Sequence, residues 1–138
     1  MKSYLLAEVL MKPFCLLVAL LPFALGCGPS LSDKRTVTLE VGEIVAITVD
    51  AVGKERTIKV AATSTGGSID LHVYLKADEQ AIERMITLGK PPENLLGVEE
   101  AAEVIAFDVK VPADKEAVVR LQSASRETAE VSVEITAE

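Results

Sequence analysis

His72 is the only histidine in the chain, and Asp70 and Tyr74 flank it at a spacing of two. In an extended segment that spacing puts three polar side chains on one face, within reach of one another. A carboxylate, an imidazole and a phenol together can hold a ligand or move a proton. The same spacing also describes a strand face turned to water, and a wet face is the expected role of Asp70, His72 and Tyr74. Two acidic groups, Asp78/Glu79/Glu83 and Glu99/Glu100/Glu103, lack the alternating oxygen ligands of a calcium loop, so no metal site is expected. A transition metal would need more imidazole or thiolate than one histidine supplies. No serine lies in a G-x-S-x-G turn. The expectation is a chain without catalytic residues or cofactor.

The other reactive side chain is Cys27. It closes Phe23-Ala24-Leu25-Gly26-Cys27-Gly28, after Met11-Lys12 and the apolar run Pro13–Leu25. Those 13 residues would form a helix of ~20 Å, short of the ~30 Å hydrocarbon core. Pro13 and Pro22 weaken it as a span. A basic start, a short apolar stretch, a small residue and then cysteine resembles the signal peptide and lipobox of bacterial lipoproteins. The resemblance implies cleavage of residues 1–26, a lipid on the Cys27 thiol, and a membrane anchor for residues 27–138. Two or three acyl chains, at ~0.8 kcal/mol per buried CH2, hold where one does not. The lipoprotein sorting rule, with Gly28 after the cysteine, implies the outer membrane facing the periplasm in a two-membrane cell. Otherwise the implied place is the outer face of the cell membrane. Glu8 is out of place in a basic leader, whereas Met11-Lys12 begins a complete signal, so Met11 stands beside Met1 as a start of translation.

Composition bounds the rest. Removing residues 1–26 takes Lys2, Lys12 and Glu8 from 14 basic and 21 acidic residues, leaving 12 against 20. That acidic balance disfavours nucleic acid and anionic headgroups, whose binding depends on basic contacts. Cys15 goes with the leader, so no thiol remains for a disulfide. Tyr74 and Phe107 are the only aromatics past residue 27, too few for a carbohydrate platform. Phe107 shares its phase with Ile105 and Val109 and is expected in the core.

The elements that position these residues are read from period. Gly28–Arg35 has none, and residues 27–35 are expected to be a lipidated tether. From Thr36 apolar residues alternate: Val37/Leu39/Val41, then Val45/Ile47/Val49, Ile58/Val60/Ala62, and Ile69/Leu71/Val73/Leu75. Asp78 is placed to cap a short helix carrying Ala81, Ile82, Met85 and Ile86, with Gly89 and Pro91-Pro92 to stop it. That helix is expected to cover an open end of the domain. Asn94-Leu95-Leu96 could add a helical turn. Alternation returns in Ile105–Val111, Ala117–Leu121 and Ala129–Ala137. About seven half-buried strands need two layers, and strict alternation means antiparallel sheets. Residues 36–138 are therefore expected to be an all-β antiparallel sandwich with one short helix inserted.

Three stretches resemble the pre-peptidase C-terminal domain and GOLD-type sandwiches. They are Val41-Gly42-Glu43, Ser68-Ile69-Asp70-Leu71-His72-Val73, and Val118–Leu121 with Thr128–Ile135. The resemblance implies a non-catalytic accessory or binding domain, some of whose relatives bind calcium. With the leader, the expectation is a lipid-anchored envelope module that meets another envelope protein. The alternative is a structural envelope lipoprotein with no discrete ligand.

Overall fold

The computed structural model describes residues 30–137. The leader and Cys27 lie outside them. Eight strands run in order: β1 (Leu31–Leu39), β2 (Ile44–Val49), β3 (Arg56–Thr65), β4 (Ile69–Leu75), β5 (Leu95–Ala102), β6 (Val104–Val111), β7 (Ala117–Ser123) and β8 (Ala129–Ala137). A single 3-10 turn and the helix α1 (Glu79–Thr87) lie between β4 and β5.

One sheet has the order β1-β8-β3-β6 and the other β2-β7-β4-β5, with every pairing antiparallel. Every connection except β4 to β5 crosses between the sheets, which is the jelly-roll arrangement of two Greek keys. The alternating apolar residues of both sheets meet in one core, among them Leu39, Ile58, Val60, Leu71, Val119, Leu121 and Ile135. Phe107 lies on the core side of its strand, as its phase predicts, but packs against the core only half-buried rather than inside it.

Four details differ from the sequence expectation. The first strand begins at Leu31, so Leu31–Arg35 are strand rather than tether: all five pair with β8, from Leu31 opposite Ala137 to Arg35 opposite Val133. Val41 does not continue that strand's apolar face. It is 60 % exposed in a turn closed by the Glu43 amide donating to the Glu40 carbonyl at 3.0 Å, where Gly42 takes a φ of 80°. The region after the helix is strand β5, which makes eight strands where about seven are expected, and not a helical turn. Two register shifts against β4 put extra residues into β5, which scrambles the period-two signal. Finally, α1 lies on the outer face of the β2-β7-β4-β5 sheet, not over an open end: Ile82 and Ile86 pack on Tyr74, Val118 and Leu95.

The helix ends where the sequence says it should. Gly89, at φ 66°, donates to the Ile86 carbonyl at 2.9 Å, and Lys90 donates to Met85 at 2.9 Å. These are the two bonds of a Schellman cap. Asp78 occupies the N-cap position, but its side chain makes no capping bond.

Candidate functional site

Asp70, His72 and Tyr74 do share the outer face of β4, as their spacing dictates. That face is not wet. His72 is 4 % exposed and Tyr74 is fully buried. The cover comes from α1 on one side and a bulged β5 on the other. A polar strand face is closed over here because an amphipathic helix with its own apolar stripe must bury that stripe somewhere.

The three residues are separated by what covers them. Tyr74 donates its hydroxyl to Glu83 Oε1 of α1 at 3.2 Å. Asp70 Oδ1 accepts the Ala101 amide at 2.9 Å, and Ala101 sits at a φ of 51° in the second bulge of β5. Asp70 therefore holds the bulge. His72 Nε2 lies 3.4 Å from Glu100 Oε1, whereas Nδ1 has no hydrogen-bond partner among the described residues.

The centre of the cluster is a residue that the histidine-led reading misses. Arg120 of β7 is opposite His72 in register and 1 % exposed. Its Nε donates to the same Glu83 Oε1 at 2.6 Å, and Nη1 donates to Gln122 Oε1 at 2.9 Å. One carboxylate oxygen thus receives a buried guanidinium and a buried phenol and ties the helix to two strands. Burial, followed by the negative charge of Glu83, pushes the Tyr74 phenol well above its usual pKa. A signal for this site is present in Ala117-Val118-Val119, which is apolar in both phases. A strand apolar in both phases is buried on both faces.

Chemically the arrangement is a clasp. The acceptor oxygen of Glu83 already has two donors, and Arg120, Tyr74 and Gln122 are joined to one another through it and through the guanidinium, with His72 Nδ1 left outside the network. α1 and the 89–94 loop also border a groove of about 440 Å³ lined by Ile82, Met85 and Leu88 together with Arg84, Lys90 and Glu93. Among the described residues, no group of three or more His, Cys, Asp or Glu side chains could hold a metal ion, and no helix is long and apolar enough to cross a membrane.

No family model matches the chain, and no curated protein matches it. Among solved structures it is similar to the mitogen derived from Yersinia pseudotuberculosis, at 13 % identity and a TM-score of 0.49, over 78 % of this chain and 86 % of that one. It is also similar to PliG of Aeromonas hydrophila, a periplasmic inhibitor of g-type lysozyme. There the identity is 13 % and the TM-score 0.46, over 79 % of this chain and 86 % of the other. Likeness this distant leaves function to be read from the chain's own residues.

Proposed function

We propose that this protein is a lipid-anchored, non-catalytic binding module of the bacterial cell envelope. The observation that carries the reading is the fate of its reactive side chains. Glu83, Arg120 and Tyr74 are spent on holding α1 to the sheet, and Asp70 on shaping β5. None of them is left poised in an open cleft as a general acid or base must be. What the molecule offers to its surroundings is surface, namely the outer face of the β1-β8-β3-β6 sheet and the edges of both sheets.

The anchor completes the reading. With lipid on Cys27, only Gly28–Ser30 separate it from the start of β1 at Leu31. Four chain steps reach at most ~14 Å, so the domain would be held against the bilayer rather than displayed at a distance. Its action would be positional: the lipid fixes the place and the sandwich meets another envelope component.

Intact-mass analysis of protein extracted from membranes tests the anchor. The expected species begins at Cys27 and carries at least two acyl chains, and Cys27→Ser moves the protein into the buffer-soluble fraction. A native protein with a bare Cys27 thiol that leaves the membrane in plain buffer would refute the anchor. Stoichiometric recovery of an envelope protein from detergent extracts supports binding; its reproducible absence favours the structural alternative.

A further inference from the structure

A two-sheet sandwich has four edge strands, each with a row of backbone N–H and C=O groups facing outward. Here they are β1, β6, β2 and β5. Three of them carry devices that discourage another strand from pairing. β1 holds Asp33 and Arg35, paired with each other, on the phase that should face the core. β5 is broken by two register shifts and carries Glu99 and Glu100. β6 carries Asp108 and Lys110.

β2 has none of these. Its sequence Ile-Val-Ala-Ile-Thr-Val contains no charge, no proline and no bulge, and all six residues pair with β7 in unbroken register. It is the only uncharged strand among the described eight. Every second residue of an antiparallel edge strand turns its amide and carbonyl away from its neighbour. Among the described residues, no side chain or turn bonds to Ile44–Val49 from outside the sheet. On the solvent phase, Ile44, Ala46 and Thr48 are exposed.

We infer that β2 is a self-pairing edge, and that two copies of this chain join through antiparallel β2–β2 contact into one continuous eight-stranded sheet. The chemistry of the edge selects its partner. An incoming strand must be apolar on the core phase, where Val45 is only half-buried, and uncharged on the other. Among the described strands, β2 itself best meets that requirement. A two-fold axis at Ala46 or Ile47 pairs residues of the same phase, so inside stays inside, as sheet continuation demands. A two-fold at Ala46 sets Ile44 against Thr48 of the second copy and covers a side chain that is 46 % exposed in the single chain. The axis also puts the two Leu31 ends at opposite ends of the pair. If the lipid anchor of the proposed function holds, both strands must then lie along the membrane.

The experiment uses the full chain extracted in detergent, with sedimentation to read mass and hydrogen exchange to read the β2 amides. The expected particle contains two chains at micromolar concentration, and protection of the β2 amides falls on dilution. Ala46→Lys and Thr48→Lys each raise the dimer dissociation constant at least about tenfold with unchanged circular dichroism. Thr36→Lys, on the exposed phase of β1, leaves the dimer intact. A single-chain particle at every concentration overturns the inference, as does a dimer indifferent to both β2 variants. Protection that is independent of concentration also overturns it, because the edge would then be occupied from within the single chain. So does protection that appears only with a co-extracted protein, which would make the edge a site for a foreign strand. The exchange result stands even if a lysine variant fails to fold. None of these outcomes depends on whether Cys27 carries lipid.

Discussion

Removing the Glu83 carboxylate should cost much more than removing the Arg120 guanidinium that it binds. The asymmetry follows from burial: the Arg120 side chain is 1 % exposed and that of Glu83 is 35 % exposed. In Glu83→Ala the guanidinium keeps only Gln122, and the Tyr74 hydroxyl loses its acceptor. Breaking a fully buried pair from one side costs ~3–5 kcal/mol, and partial exposure of Glu83 screens this to about 2–3 kcal/mol. Arg120→Met replaces the stem with an apolar chain of similar length and leaves Glu83 able to turn to water, for a cost of about 1 kcal/mol. In the Arg120→Met background, Glu83→Ala should cost only ~1 kcal/mol, since the Tyr74 hydroxyl still loses its acceptor but no buried charge is orphaned. The coupling is therefore about 1–2 kcal/mol. The chain has no tryptophan, so urea unfolding followed by far-UV circular dichroism measures it. A coupling below ~0.5 kcal/mol, the size of an exposed ion pair, would refute the clasp.

Tyr74 should remain a phenol well above pH 10 in the folded protein, because burial and Glu83 raise its pKa. The native state holds that proton more tightly than the unfolded chain does, so the stabilisation is complete below about pH 10 and is lost as pH rises through and beyond it. Absorbance at the tyrosinate band should rise together with unfolding, and ionisation at an ordinary pKa with the fold intact would contradict the site. Gly97→Ala should destabilise by ~1–3 kcal/mol, since a Cβ there would lie 2.6 Å from Phe107 and 2.8 Å from Val109 of β6. Thermal unfolding checks it, and a neutral result would mean that β5 and β6 can part. Gly89→Ala strains a residue held at φ 66° and should cost ~1 kcal/mol, read as earlier exchange of the Leu88, Gly89 and Lys90 amides.

Much of the architecture is legible because it is local. Val60, Val119 and Ile135 occupy the core through plain alternation, and the short helix stops at Gly89. β5 was not legible: its two bulges shift the phase, and Gly97 is there for close approach to β6 rather than for any pattern of its own. The candidate site was half legible. The spacing of Asp70, His72 and Tyr74 places them on one face, yet it says nothing of Arg120 and Glu83, which come from β7 and α1.

The amino-acid sequence by itself determines the alternating strands, the antiparallel two-layer class, the helix and its stop, and the acidic balance of residues 27–138. Only the tertiary structure decides that the polar face of β4 is dry and that β2 stands at an edge while β7 lies inside. Period two tells that a strand has two faces. What covers the second face, and which strands flank it, is fixed by segments far away in the chain. Glu83 reaches Arg120 across 37 positions because α1 had to bury Ile82 against Tyr74 and Val118.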